Sequence, residues 1–128
     1  MVAERKGIVL FAHGARNPDW RKPIEAIDAA MKAREPRARV EIGFLEFLAP
    51  SLPEAIDRLA GDGIRDIVVV PIFMAQSGHT KRDLPELLES ARTRHTGLSI
   101  EVATPIGEAE AVVVAIAEYA LRCAGPLR

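Results

Sequence analysis

One cysteine, Cys123, stands in a chain of 128 residues, which excludes an intrachain disulfide and any multi-cysteine zinc or iron–sulfur site within one chain. Its place near the C-terminus reads as a small, semi-buried hydrophobe of a last helix. An excess of charge of either sign is also missing. Seventeen basic and 18 acidic residues leave a formal charge of -1, so the chain has no global field of the kind that nucleic-acid binders or acidic-membrane binders use. Any affinity for anions must be local, and neither nucleic acid nor membrane is an expected partner. Long hydrophobic runs are absent too. The longest, Ala111 to Ala117, is closed by Glu110 and Glu118, far short of a membrane span. The N-terminus carries Glu4 and passes through a short apolar stretch to His13, which does not read as a signal peptide. A soluble, cytoplasmic protein is expected. There is no internal repeat, low-complexity stretch or long linker, and a 48% hydrophobic content suffices for one sizeable core, so residues 1–128 are expected to form a single domain.

What is present is an alternation. Four short apolar, β-branched runs are predicted as strands: Gly7 to Ala12, Arg39 to Leu45, Asp66 to Phe73 and Leu98 to Ala103. The third is almost continuously apolar, as a central buried strand is; the second and fourth interleave charges, as edge strands do. Helical periodicity predicts helices over Trp20 to Arg34, Ser51 to Ala60, Leu84 to Thr93 and Glu108 to Arg122. Ser51 with Glu54 forms a capping box, Gly61-Asp62-Gly63 closes that helix, Pro85 reads as a first-turn proline, and Gly125-Pro126 follows the last helix. The expected fold is α/β: one three-layer domain with a four-stranded parallel sheet in the order 2-1-3-4 and helices on both faces.

In such sheets ligands bind outside the carboxyl ends of the strands, above all where the chain changes direction across the sheet, here between strands one and three. His13-Gly14-Ala15-Arg16 follows strand one, Glu46 follows strand two, and Met74 to Asp83, with Gly78-His79 and Lys81-Arg82, follows strand three. Adjacent strands stand about 4.8 Å apart, so two histidines and a carboxylate emerging from three neighbours are able to share one ion. Neutral imidazole suits cobalt, nickel and ferrous iron, and a carboxylate can complete an open coordination sphere. Gly14 and Gly78 permit close approach of backbone or of a flat ligand. Arg16, Arg21, Lys22, Lys81 and Arg82 read either as a solvated face or as a rim for a substrate bearing many carboxylates. Glu46 reads equally as an acidic partner and as a solvated or capping carboxylate, Met74 as packing or as a surface for a flat ring, and His95 as a cation complementing the end of the third helix.

The His13-Gly14-Ala15-Arg16 loop, the Phe44-Leu45-Glu46 segment and the stretch from Pro71-Ile72-Phe73 through Gly78-His79 to Asp83-Leu84-Pro85 resemble the small sirohydrochlorin chelatases of cobalamin and sirohaem synthesis, with the similarity running from Gly7 to about Leu121. The resemblance implies insertion of a divalent ion (Co2+, Fe2+ or Ni2+) into the tetrapyrrole sirohydrochlorin, with no cofactor beyond the metal substrate. His13 and His79 become metal ligands or proton acceptors, and Glu46 their acidic partner. Gly14, Arg16, Gly78, Lys81 and Arg82 are expected at the substrate. Larger relatives hold two such units in tandem; one unit implies a homodimer that builds one cavity from two copies. Ala15 stands where the family commonly has serine.

Three other readings compete. A histidine phosphatase has an arginine directly before its histidine, where Ala12 stands here. A receiver-type signalling domain needs clustered aspartates with a paired lysine at the strand ends, and these are missing. A non-catalytic metal or tetrapyrrole carrier would keep the basic rim but has no need of a second histidine and a carboxylate.

Overall fold

The computed structural model describes residues 6–127, and of His79 the backbone only. Along the chain run β1 (Lys6–Ala12), a 3-10 turn (Pro18–Trp20), α1 (Arg21–Arg34), β2 (Arg39–Phe44), α2 (Leu52–Gly61), β3 (Asp66–Pro71), α3 (Gly78–Arg94), β4 (Ser99–Val102), a second 3-10 turn (Ile106–Glu108) and α4 (Glu110–Ala124). All strand pairs are parallel, in the order β2-β1-β3-β4, with β2 and β4 at the edges.

Alternation along the strands divides the core. Val9, Phe11, Ile67 and Val69 point to one face, where Leu52, Ile56 and Leu59 of α2 and Leu84, Leu88 and Ala91 of α3 cover them. Leu10 and Ala12 of β1 and Val40 and Phe44 of β2 point to the other, where Ile24 of α1 is buried against them with Ile27 and Met31 partly so. The helices thus lie on both faces, as expected. α4 is the exception to the layering. It is formed where predicted, yet it buries no side chain.

Two local expectations need correction. Cys123, read as semi-buried, is exposed because α4 is. Pro85, read as a first-turn residue, lies inside α3, which begins six residues earlier than its apolar period shows. Ser77 starts it: its Oγ accepts from the Thr80 N–H at 3.2 Å and stands 2.9 Å from Thr80 Oγ1, with Thr80 itself buried. The residues Gly78 to Asp83 therefore form a polar first turn and a half of helix, not a loop.

Register fixes what emerges at the carboxyl edge. Ala12 pairs with Phe44, and Phe11 with Pro71, so β1, β2 and β3 end level with one another. His13, Glu46 and Phe73 follow those three strand ends within two residues.

Candidate functional site

The loops after β1 and β2 are laced together by backbone. The Leu45 N–H donates to Ala12 O at 2.9 Å and the Glu46 N–H to His13 O at 3.2 Å, which continues the strand ladder beyond the sheet. Gly14 makes this close approach feasible. Its φ is +93°, and a Cβ there would stand 1.9 Å from Glu46 O. On its Cβ side Gly14 meets the neighbouring loop, and it also lines the apolar hollow beside His13, whereas Gly78, at the open start of α3, has nothing within 4 Å of the place its Cβ would take.

His13 is exposed at the rim, with its ring 6.0 Å from that of Phe73 at 79°, and Phe73 in turn stacks edge-on at 5.2 Å against the buried Phe11. Two hollows meet at this histidine. One, of about 440 Å³, is predominantly apolar and is lined by Ala12, Trp20, Pro23, Ile24, Phe44 and Ile72. The other, about 300 Å³, lies towards α3 and is lined by Ile72, Phe73, Ala75, Ser77 and Thr80. Ser77 and Thr80 flank Gly78-His79 in the chain, so the backbone of His79 stands at the edge of the hollow that His13 shares. The side chain of His79 lies outside the described residues.

Glu46 is beside His13 through the backbone, and it lines a separate cleft of about 470 Å³ with Leu45, Asp83, Glu86 and Leu87. Among the described residues no three His, Cys, Asp or Glu side chains come together as a metal cage. His13 and Glu46 are brought to one edge, lining different hollows.

The basic residues divide similarly. Arg16 is exposed at the rim, with its guanidinium 4.6 Å from the centroid of Phe47, while Lys81 and Arg82 are exposed on the first turns of α3. Arg21 turns away. Its guanidinium donates to Ala49 O at 2.5 Å and lies over Phe44, and Lys22 pairs with Asp19 at 3.4 Å. His95 caps the end of α3 and its Nε2 stands 2.7 Å from Asp57 Oδ1 of α2, a staple far from the rim.

Residues given no site role from the sequence also line these hollows: Trp20, Phe73, Ser77 and Thr80, with Asp83 and Glu86 in the cleft of Glu46. Trp20 left one legible trace, a lone tryptophan just before the first helical period. It is exposed at the mouth of the apolar hollow.

Residues 7–122 match the CbiX family. A sirohydrochlorin cobaltochelatase of Sulfurisphaera tokodaii is 38% identical over 112 residues, 88% of each chain. Among solved structures, a CbiX protein of Marinobacter aquaeolei superposes with a TM-score of 0.79 at 29% identity, covering 91% of this chain and 95% of that one. The sirohydrochlorin chelatase SirB of Bacillus subtilis subspecies spizizenii, in complex with cobalt, superposes with a TM-score of 0.78 at 28% identity over 92% of this chain, which spans 50% of that protein.

Proposed function

The chain belongs to the CbiX family, and from that membership we infer that it is a sirohydrochlorin chelatase, inserting a divalent ion, cobalt or ferrous iron, into the tetrapyrrole. The observation that carries the site assignment is the position of His13, a solvent-facing imidazole between an apolar hollow and the hollow beside the start of α3.

The reaction replaces two pyrrole N–H protons by one M2+ ion, so each turnover releases two protons and moves no electrons. The apolar walls, with Trp20 at the mouth, receive one face of the macrocycle. His13 and His79 hold the ion loosely and accept the pyrrole protons, a task that imidazole performs near neutral pH. Glu46, with Asp83 and Glu86 beside it, supplies an acidic exit for protons or entry for the metal. Arg16, Lys81 and Arg82 pair with substrate carboxylates, Gly14 holds the His13 loop against Glu46, and Gly78 leaves the start of α3 open. The metal is substrate, and the chemistry calls for no further cofactor. Among the described residues no helix is long and apolar enough to cross a membrane; a cytoplasmic homodimer, with one cavity built from two copies, completes this reading.

The test is anaerobic absorbance of sirohydrochlorin with Co2+ or Fe2+. Wild type should convert the pigment over many turnovers, and His13→Ala and His79→Ala should each lose about a hundredfold or more in kcat. Either variant retaining full activity removes that histidine from the mechanism. Tight pigment binding without acceleration would make the protein a carrier.

A further inference from the structure

Phe47 takes a backbone shape that a bulky side chain disfavours. Among the described residues it is the only one other than glycine with a positive φ, +68°. The Leu48 N–H donates to Glu46 O at 2.9 Å, which closes a γ-turn centred on Phe47, and such a turn at positive φ is strained. A glycine would take it freely. Core packing does not account for the phenylalanine either, since the residue is 55% exposed.

The turn is held from both sides. Leu45 and Glu46 are tied to the His13 loop before it; after it Pro50 O accepts from the Phe44 N–H at 2.8 Å, Arg21 holds Ala49 O, and Leu48 packs against the core on the α1 side. Strain kept in place by its surroundings in this way points to a use for the residue that bears it.

What the ring touches is Arg16. The guanidinium carbon lies 4.6 Å from the ring centroid, and Arg16 belongs to the same loop as His13. Phe47 follows Glu46, whose carbonyl oxygen is the atom that Gly14 meets. The side-chain contact therefore joins the two loops that the backbone already laces. Among the described residues Arg16 makes no ion pair and no side-chain hydrogen bond, unlike Arg21 and Lys22. Contact with the face of a ring uses none of the N–H donors of a guanidinium, so the fork stays free while the side chain is held.

We propose that Phe47 is a positioning residue for the substrate: its ring holds the Arg16 guanidinium at the rim as a preset fork for one carboxylate of the tetrapyrrole. This role deepens the chelatase reading and rests on it. A free arginine loses rotamer freedom on pairing with a carboxylate, whereas one already held loses less. The gain belongs to binding, so it is read in Kd and KM and not in kcat.

The experiment compares wild type with Phe47→Leu, Phe47→Tyr, Phe47→Gly, Arg16→Ala and the double variant Arg16→Ala/Phe47→Leu. Sirohydrochlorin binding without metal is followed by quenching of Trp20, the single tryptophan, and by pigment absorbance. KM and kcat come from the anaerobic assay, and thermal melts report the fold. Phe47→Leu should weaken binding and raise KM about two- to fivefold with kcat nearly unchanged. Phe47→Tyr should keep wild-type values. Phe47→Gly should bind as weakly as Phe47→Leu yet melt no lower than wild type, because the strain is gone. The double variant should lose no more than Arg16→Ala alone, since the ring acts through that arginine. Wild-type Kd and KM in Phe47→Leu, or losses at the two positions that add, would overturn the positioning role and leave the chelatase standing. A Phe47→Gly variant that melts lower and loses kcat would do the same, by making the ring a structural prop. Wild type that binds the pigment with the expected pattern but turns nothing over would keep the role and remove the chelatase; wild type that does not bind the pigment would overturn both.

Discussion

At the scale of single residues, the rim depends on Gly14 for geometry, and the proposed chemistry rests on His13. Gly14→Ala places a methyl group into Glu46 O at a left-handed φ. Thermal or urea unfolding should show a loss of about 2 kcal/mol or more. Activity should fall with it, since the loop that holds His13 must move. A variant as stable as wild type would mean that the two loops are not held together as described.

Asp57 is one residue through which acid acts on the body of the fold. Burial works to raise its pKa most strongly, but the hydrogen bonds from His95 and Arg94, with the charge of Arg94, outweigh it and hold the carboxyl below its ordinary value. A carboxylate depressed in the folded state contributes stability above its unfolded pKa, about 3.9, and the contribution disappears as pH falls through the folded value. The stability difference between wild type and Asp57→Asn should accordingly be constant above about pH 5 and shrink below about pH 4. Half-exposure of the pair limits it to about 1 kcal/mol. A difference that grows on acidification would contradict the assignment.

At the scale of elements, α2 and α3 show how end signals compete with periodicity. The Ser51–Glu54 box was readable because both partners sit at fixed offsets before an apolar run, and both bonds are present: Glu54 N–H to Ser51 Oγ at 3.2 Å, Ser51 N–H to Glu54 Oε1 at 2.8 Å. Ser51→Ala should cost about 1 kcal/mol in chemical denaturation and leave metal insertion unchanged. α3 was legible only from Leu84 onward, where apolar spacing begins. Its first residues are polar because one side of that turn borders the hollows and the other faces solvent, and buried Thr80 helps to tie it down. That turn carries His79, Lys81 and Arg82.

At the scale of the whole molecule, the chain is nearly neutral, so the proposed pairing with a polycarboxylate rests on the local charges of the rim. Raising salt from low to high ionic strength should therefore increase KM for sirohydrochlorin several-fold with little change in kcat, because screening acts on exposed charges over about 10 Å. The double variant Arg16→Ala/Arg82→Ala should reproduce much of the rise and flatten the salt dependence. A salt-independent KM would remove the rim from substrate binding.

The sequence alone determined the α/β class, the 2-1-3-4 order, the edge positions of β2 and β4, the family, and the three segments that meet at the carboxyl edge. These follow from alternation of period, handedness of crossovers and short motifs, all of which are local. Tertiary structure decided the rest: Glu46 lines a cleft apart from His13, Arg21 turns from the rim, Gly14 answers to Glu46 O, and α4 lies on no layer of the described fold. Side-chain direction and helix docking depend on which surfaces meet across the molecule, and an apolar helical period reads the same whether or not its own chain covers it.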